Sequence, residues 1–439
     1  MKEGMYRSYL LHILMVILAL NYVDRLVLGL VLQEIKVDLS LTDTQLGLLS
    51  GIAFAFFYSV MGIPIARWAD RGNRIVIISL TAAAWSVGVA LCGVATGFLD
   101  LLLIRVLVAV GEAGCIPPGL SLISDYFTRA ERPRAVSRYM LGGPLSVALG
   151  YSLAGSLNQH FGWRVTFILL GVPGLAMAVL AWFTLREPRL RRPRSRTLGI
   201  RVAPGSATPT DARSICKTLW RNRTFRHLLF SVSGLWFFAY GVLLWQPTFF
   251  IRSYGLSTAE LGLWLTGIWA IAGTAGTYLG GEFASRFAPS DERLQLRFMT
   301  LLVVSFGALS GAIYITQNLY AAFGFMALGA FGINLIYGPL FAMLQALVPE
   351  PMRAVSVAVT YLFANLIGMG LGPLATGALS DALRPYFGEE SLRYALISLS
   401  PGYLFCAWLL WRAGGSVIHD LQGVRDAQSG VIDEQPCRA

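Results

Sequence analysis

The most informative residues of this chain are two adjacent charges, Asp24 and Arg25, which lie inside the first long apolar run, Tyr9–Leu32. A charged side chain near the centre of a bilayer costs roughly 2.5–3.5 kcal/mol on insertion scales. Such residues usually face a protein interior or a water-filled cavity and mark a path for ions or substrate. We therefore predict a functional polar site here. The alternative is an inward-facing ion pair that only locks helices together.

A second group of buried charges lies in the fourth apolar run, where Glu112 follows Arg105 by seven residues. At 1.5 Å per residue, Asp24 and Arg105 lie at one depth, roughly 10–12 Å from the membrane surface, and Glu112 lies about 10 Å deeper. Burial favours the protonated form of a carboxylic acid and a nearby arginine opposes it, so movement of the arginine can switch proton binding. We predict proton coupling through Asp24 and Glu112, with Arg25 as the immediate partner of Asp24.

The same residues are candidates for substrate binding. Arg105 is the predicted second partner of Asp24 and, when released, an anchor for an anionic headgroup. The full predicted substrate-binding set adds polar and aromatic residues from both parts of the chain: Arg105, Glu112, Asn21, Tyr22, Trp236, Tyr240, Phe331, Asn334 and Tyr337. One side of such a cavity is charged and the other apolar, which suits an amphipathic molecule. For any single aromatic residue, ordinary packing or lipid contact is the alternative.

Long apolar blocks separated by short polar connectors position these residues. Of the 439 residues, 55% are hydrophobic and 13% charged, which is typical of a polytopic α-helical membrane protein. Twelve windows are apolar enough to cross a bilayer. We number them spans 1 to 12: 8–32, 45–66, 75–96, 98–124, 136–157, 163–185, 227–250, 259–284, 297–316, 319–347, 354–380 and 392–412.

The distribution of basic residues predicts the topology. With loops assigned alternately, 28 of the 35 lysines and arginines lie on the side that holds both termini. By the positive-inside rule both termini are cytoplasmic. The net charge of +11 therefore reports topology and contact with the lipid bilayer, and it does not indicate a nucleic-acid partner. The predicted location is the cell membrane, which is the inner membrane if the source is bacterial.

A basic connector and an internal repeat predict two related halves. The sequence Arg-Ala-Val-Ser begins at Arg134 before span 5 and again at Arg353 before span 11, and Gly-Pro elements follow both copies. Paired six-helix repeats are a common architecture of secondary transporters. The predicted divisions are an N-terminal half at 1–185, a basic cytoplasmic linker at 186–226, a C-terminal half at 227–412 and a cytoplasmic tail at 413–439.

The connector between spans 2 and 3 carries a family resemblance. Asp70, Arg71 and Arg74 occupy the charged positions of a loop signature that resembles that of the major facilitator superfamily, and Arg105 matches its intramembrane arginine. The resemblance covers essentially the whole chain. It implies an all-α integral membrane fold of twelve transmembrane helices in two pseudo-symmetric halves.

A finer resemblance is to the spinster group of that superfamily. The segments that carry it are Asn21–Arg25, Gly111–Glu112, Ser124–Phe127 and Gly370–Asp381. The group is associated with transport of lysosphingolipids and lysophospholipids, and bacterial members look similar. The resemblance therefore implies an amphipathic, lipid-like substrate.

Charged residues on the cytoplasmic face are predicted to form a gate of salt bridges that breaks when the cavity opens inward. The predicted gate residues are Asp70, Arg71, Arg74, Asp125, Arg134 and Arg138. Exposed pairs contribute roughly 0–1 kcal/mol each, which suits a gate better than a lock. The alternative is that these charges only set the topology.

Taken with the resemblance, these features predict a monomeric secondary active transporter that works by alternating access and is coupled to protons or gated by them. The alternative is a carrier of small organic anions or drugs. The chain contains no Walker motif, no HExxH and no GxSxG, and its four histidines are scattered, so we predict neither an enzyme nor a bound cofactor or metal.

Overall fold

The computed structural model describes residues 3–128, 131–191, 218–287, 292–349 and 352–433. Within these ranges the secondary structure is helical, and no strand is present. The predicted all-α class is therefore confirmed. Much of the predicted linker lies outside the described residues, as do the last six residues of the predicted tail.

Each of the first six predicted spans corresponds to a helix or to two consecutive helices. Their bounds are Glu3–Asp38 for span 1, Asp43–Ser50 and Ile52–Arg71 for span 2, Arg74–Cys92 for span 3, Phe98–Glu112 and Ile116–Tyr126 for span 4, and Arg132–Met140 and Gly142–Thr184 for spans 5 and 6. The last of these helices changes direction at Gly162, where φ is +74°. Glycine adopts that conformation without the strain that other residues incur, so the turn between spans 5 and 6 needs no longer loop.

The remaining spans contain two stretches of π-helix. Their bounds are Arg223–Tyr254 for span 7, Thr258–Ile268, Trp269–Gly273 and Thr274–Phe287 for span 8, Glu292–Ile315 for span 9, Leu319–Ala346 for span 10, Arg353–Phe363, Ala364–Leu371 and Gly372–Phe387 for span 11, and Ser391–Leu399 and Gly402–Asp433 for span 12. The π-helical parts are Trp269–Gly273 and Ala364–Leu371. They lie in spans 8 and 11, and π-helical turns frequently occur at functional sites. The short helices Pro188–Arg191 and Gly388–Glu390 lie outside the spans.

Eight helical stretches of the described residues are long and apolar enough to cross a membrane. Two of them, Arg134–Thr184 and Val355–Gly423, each contain two predicted spans. Span 4 is not among the eight, because it is interrupted between Glu112 and Ile116. Span 8 is also absent, and its many glycine, threonine and tryptophan residues lower its hydropathy. The helical stretches therefore agree with twelve spans.

The described helices form two compact units. Unit 1 contains residues 1–194, 239–270 and 369–396, and unit 2 contains residues 195–238, 271–368 and 397–439. Unit 1 thus combines spans 1 to 6 with the later parts of spans 7 and 11 and the earlier parts of spans 8 and 12. The predicted division at 186–226 follows the sequence repeat and stays a prediction.

Unit 2 has an apolar core of its own. Tyr403 of span 12 contacts Phe238 and Phe306, with ring centroids 5.3 Å and 4.8 Å apart. Gly402 lies directly against the Phe238 ring, where a Cβ would overlap it. The absence of that Cβ allows the start of span 12 to pack closely on span 7.

Spans 2 and 11 meet in unit 1 through two glycines, and we call this contact the first seam. Gly47 lies against the backbone of Pro373, and Gly377 lies against the carbonyl of Asp43. A Cβ at either glycine would overlap these backbone atoms. Small residues permit such close approach between membrane helices.

Spans 5 and 8 meet in the same way, and we call this contact the second seam. Gly262 lies against the carbonyl of Tyr151, and Gly155 lies against the carbonyl of Thr258. An offset of 222 residues relates Tyr151 to Pro373 in the first seam and Gly155 to Gly377. The two seams therefore share one pattern of glycine-to-backbone contacts.

We expect Gly262→Ala to lower the stability of the protein by about 1–3 kcal/mol, the usual cost of overpacking. The added Cβ would meet the Tyr151 carbonyl, a backbone atom that cannot move alone. Gly267→Ala on the same span is the matched control, because nothing lies within 4 Å of its Cβ position. Thermal unfolding in detergent measures both variants. Equal midpoints for the two would show that the second seam is not tightly packed.

Candidate functional site

Spans 1 and 4 are joined by two buried ion pairs. Arg105 Nη1 lies 2.5 Å from Asp24 Oδ2, and Arg25 Nη2 lies 2.7 Å from Glu112 Oε2. Arg105 is the second partner predicted for Asp24, whereas Arg25, the predicted immediate partner, pairs with Glu112 instead. Consecutive residues of a helix point about 100° apart and do not face each other, so each charge of span 1 reaches across to span 4.

The local sequence of span 4 explains how its charges reach span 1. Gly111 lies against the backbone of Trp85, which brings span 4 close to span 3. The first helix of span 4 ends at Glu112, and the second begins at Ile116 with proline in its first turn. Proline is favoured at that position because its missing N–H would have no partner within the helix.

Aromatic rings surround the two arginines. The guanidinium carbon of Arg25 lies 4.7–5.2 Å from the ring centroids of Tyr22, Phe54 and Tyr58, and that of Arg105 lies 5.1 Å from Phe54. Cation–π contacts of this kind contribute about 0.5–2 kcal/mol each, more when water is excluded. Sequence reasoning missed Phe54 and Tyr58. The signal that could have identified them is their spacing of four residues, which places both rings on one face of span 2.

The ion pairs border a cavity of about 500 Å³ in unit 1. That volume is within the usual range for sites that bind small molecules. Arg25, Arg105 and Tyr22 contribute polar groups to its wall, and the other lining residues are mainly apolar. They include Leu26, Leu28, Phe54, Met140, Val147, Leu243, Leu244, Met369 and Pro373.

The charged groups differ in their exposure. The side chains of Asp24 and Arg105 each retain 2% of their accessible surface, and that of Glu112 retains none, whereas that of Arg25 retains 19%. Asp24 Oδ1, Glu112 Oε1 and Asn21 Nδ2 are buried without a hydrogen-bond partner in the described part of the chain. Each carboxylate thus has one oxygen bound to an arginine and one oxygen without a partner among the described residues.

The predicted aromatic residues fall in different units. Tyr240 lines the cavity of unit 1. Trp236, Phe331 and Asn334 belong to unit 2, where Trp236 contacts Tyr361 at 5.6 Å between ring centroids. The carbonyl of Phe331 lies against Gly276, and Asn334 donates a hydrogen bond to the Ala330 carbonyl at 2.7 Å. The side chain of Tyr337 lies outside the described residues.

A charged cluster at the first seam was not anticipated. Asp43 Oδ1 lies 2.7 Å from Arg252 Nη2 of span 7 and 2.6 Å from Lys36 Nζ of span 1. Ser380 of span 11 donates a hydrogen bond to Asp43 Oδ2 at 2.7 Å. The neighbouring Asp381 accepts the backbone N–H of Asp43 at 3.1 Å and so caps the helix at the start of span 2. Asp381 belongs to the Gly370–Asp381 block of the spinster resemblance, which was the available signal.

The second seam carries neutral hydrogen bonds and one acid. Asn158 donates hydrogen bonds to Thr258 Oγ1 at 3.1 Å and to Glu34 Oε1 at 2.5 Å. Asn158 and Ser380 are related by the same 222-residue offset as the seam glycines. Residues related by this offset therefore belong to an ionic cluster in one seam and to a mainly neutral one in the other.

Two of the predicted gate residues come together, on the side of the membrane that holds the termini. Arg74 is fully buried, and its guanidinium lies 2.7 Å from Asp125 Oδ2 and also pairs with Glu187. Arg189 approaches Asp125 Oδ2 at 3.2 Å. Glu187 and Arg189 belong to the basic segment after span 6, which sequence reasoning treated only as a linker. Burial tends to raise the pKa of the Glu187 carboxyl, but its hydrogen bonds with Arg74 outweigh burial and hold that pKa below the ordinary value.

The other predicted gate residues, Asp70, Arg71, Arg134 and Arg138, are exposed. Among the described residues of unit 1, none of their side chains forms an ion pair. Their role in a gate stays a prediction.

Because the Glu187 pKa is lower in the folded protein than in the unfolded chain, its contribution to stability is complete above the unfolded pKa of about 4.3 and is lost as the pH falls further. Glu187→Gln removes one of two carboxylates from a buried arginine, and we expect a loss of about 2–3 kcal/mol at neutral pH. The difference in melting temperature between wild type and Glu187→Gln should shrink below pH 4. A difference that is constant with pH would contradict this assignment.

We expect the two residues of the Asp24–Arg105 pair to be strongly coupled in a double-mutant cycle. Asp24→Asn or Arg105→Gln alone leaves a buried charge uncompensated, at a cost of about 3–5 kcal/mol, and the double variant should recover much of it. The exposed pair of Asp38 and Arg164, 2.9 Å apart, is the control, with a coupling of about 0–1 kcal/mol. Thermal unfolding provides the measurement. Additive losses at Asp24 and Arg105 would mean that the pair does not act as a unit.

The arrangement of the chain agrees with known membrane transporters. The family model described as the Major Facilitator Superfamily matches residues 14–373. A bacterial homologue of the human lysosomal transporter spinster, solved in an inward-facing conformation, is 30% identical and has a TM-score of 0.83, over 94% of this chain and 98% of that chain.

Curated relatives carry several transporter names. An MFS-type efflux pump of Mycolicibacterium smegmatis is 29% identical over 89% of each chain. A probable L-galactonate transporter of Escherichia coli is 25% identical over 86% of this chain and 83% of the relative. The chain belongs to the major facilitator superfamily of multi-pass membrane transporters and, within it, resembles the spinster group.

Proposed function

We propose that this transporter moves an amphipathic, lipid-like substrate of the lysophospholipid or lysosphingolipid class by alternating access, with protons coupled through Asp24 and Glu112. The observation that carries the proposal is the cavity of unit 1, whose mainly apolar wall is interrupted by the guanidinium groups of Arg25 and Arg105. An anionic headgroup would lie against the arginines and an apolar chain along the rest of the wall.

Charge balance supports the coupling to protons. Two arginines and two carboxylates make the site neutral, provided all four groups are ionised. An anionic substrate that takes the place of a carboxylate on either arginine leaves that carboxylate unpaired in a low-dielectric site, at a cost of several kcal/mol. Uptake of one proton by the released carboxylate restores neutrality. Substrate and proton therefore favour each other's binding.

The free carboxylate oxygens give the proton a place to bind. Asp24 and Glu112 each hold one oxygen that is buried and without a partner among the described residues. A proton that binds there neutralises the carboxylate as its arginine passes to the anionic substrate. This supports Asp24 and Glu112 as the coupling residues, with Arg25 as the partner of Glu112 and Arg105 as the partner of Asp24.

The division into halves belongs to the same proposal. We take residues 1–185 and 227–412 as the two six-helix halves, and the charged residues around Arg74 and Asp125 as part of a cytoplasmic gate. The equivalent glycine contacts of the two seams support this two-fold relation.

A carrier of small organic anions or drugs is the second candidate. The names of the L-galactonate and efflux relatives favour it, as does a cavity volume that would hold a small acid without an acyl chain. The two arginines would bind either kind of anion. The extent of the apolar wall favours the lipid-like substrate.

The test is transport in proteoliposomes under an imposed pH gradient. Oleoyl lysophosphatidylglycerol and a hexuronate serve as the two probes. We expect wild type to move the lysolipid faster when the gradient is present, and Asp24→Asn and Arg105→Ala to lose about tenfold or more of that flux, as expected for removal of a few kcal/mol of charge pairing. Asp38→Asn is the control, because its carboxylate pairs at an exposed site.

Two results would overturn parts of the proposal. Hexuronate flux without lysolipid flux would replace the substrate class with the second candidate. Equal flux in wild type and Asp24→Asn at every pH would remove the coupling role of Asp24 and leave the substrate class untouched.

A further inference from the structure

Tyr151 is a cavity residue whose hydroxyl has no hydrogen-bond partner among the described residues. Its side chain lines the cavity of unit 1 and retains only 3% of its accessible surface. Its hydroxyl makes no hydrogen bond with any residue that the structure describes. By contrast, the hydroxyls of Tyr9 and Tyr126 donate hydrogen bonds to Thr184 and to the Arg186 carbonyl.

A hydroxyl that an occupant of the cavity screens from water without offering it a hydrogen bond costs about 1–3 kcal/mol. Phenylalanine would fill the same volume without that cost. An occupant that fills the cavity therefore has to offer the Tyr151 hydroxyl a hydrogen-bond partner.

The backbone of Tyr151 fixes where that partner must bind. Its carbonyl lies against Gly262 at the second seam, and Pro373, which lines the same cavity, lies against Gly47 at the first seam. The Pro373 carbonyl is further held by the indole N–H of Trp245 at 2.9 Å. Both seams thus meet the cavity wall at residues whose backbones are tightly packed, and the Tyr151 side chain is itself almost fully buried.

We propose that the Tyr151 hydroxyl hydrogen-bonds an oxygen of the transported substrate and is a determinant of its recognition. This inference rests on the proposed function because it takes the molecule bound in the cavity to be the transported substrate. The expected ligand is an anion with a further oxygen that can accept a hydrogen bond. In a lysophospholipid this oxygen belongs to a headgroup hydroxyl or to the ester, and in a sugar acid it belongs to the sugar. Arg25 and Arg105 recognise the charge, and Tyr151 recognises the neighbouring oxygen.

The experiment compares the equilibrium binding of two probes, oleoyl lysophosphatidylglycerol and a hexuronate, to the full-length protein in detergent. Tyr151→Phe keeps the ring and removes only the hydroxyl, so the variant should fold as wild type does. Tyr139→Phe is the matched control. It makes the same chemical change on the same span, at a hydroxyl that bonds the Cys115 carbonyl at 3.4 Å and does not line the cavity.

We expect Tyr151→Phe to raise the dissociation constant of the bound probe by about 3- to 10-fold, which corresponds to the loss of one hydrogen bond. Tyr139→Phe should leave that constant within about twofold, the scatter expected of a variant that loses no ligand contact. Binding of the hexuronate in place of the lysolipid, weakened by Tyr151→Phe, would support Tyr151 while overturning the lipid proposal. Equal affinity of wild type and Tyr151→Phe for the probe that wild type binds would overturn the inference and leave the proposed function intact.

Discussion

The structure of unit 1 depends on the need to neutralise charge away from water. Two arginines and two carboxylates within spans 1 and 4 can be tolerated only as pairs, because an isolated charge in a low-dielectric site costs far more than a packing contact returns. Pairing requires the two spans to lie close together at the depth of Asp24 and Arg105. Gly111 allows span 4 to pack on span 3 without a side chain between them.

The same requirement makes the site responsive. A pair that is strong only while both partners are charged is sensitive to any group that competes for one partner. The aromatic rings around Arg25 keep its guanidinium in position even when a carboxylate leaves, because their attraction does not depend on protonation. Arg105 has fewer such contacts and is more deeply buried. The two arginines are therefore unequal, although each pairs with one acid.

Sequence alone could predict which charges lie in the membrane, at which depth and on which spans, because apolar runs and helical rise determine these quantities. It could not predict which acid pairs with which arginine, since that depends on the rotation of spans 1 and 4. The cavity could not be predicted either, because nothing in the sequence distinguishes Leu243 and Pro373, which line it, from other apolar residues of their spans. Asp43 and Arg252 were missed for another reason. Each lies at the end of a span, where a charge costs little, so composition gives no sign that the two meet.

The two seams differ in the chemistry that accompanies their glycine contacts. Their glycine contacts are equivalent, so the difference between them lies in Asp43 and its two basic partners. Burying such a cluster returns little net energy, because its Coulomb attraction is offset by lost hydration, and that hydration is regained when the cluster opens. The ion pairs and hydrogen bonds of Asp43 can therefore fix the register of spans 2, 7 and 11. They oppose separation of these spans only weakly, because their net energy is small. Close packing at the glycines supplies a resistance to separation that both seams share. The first seam is therefore fixed in geometry by groups whose charges add little net stability to it.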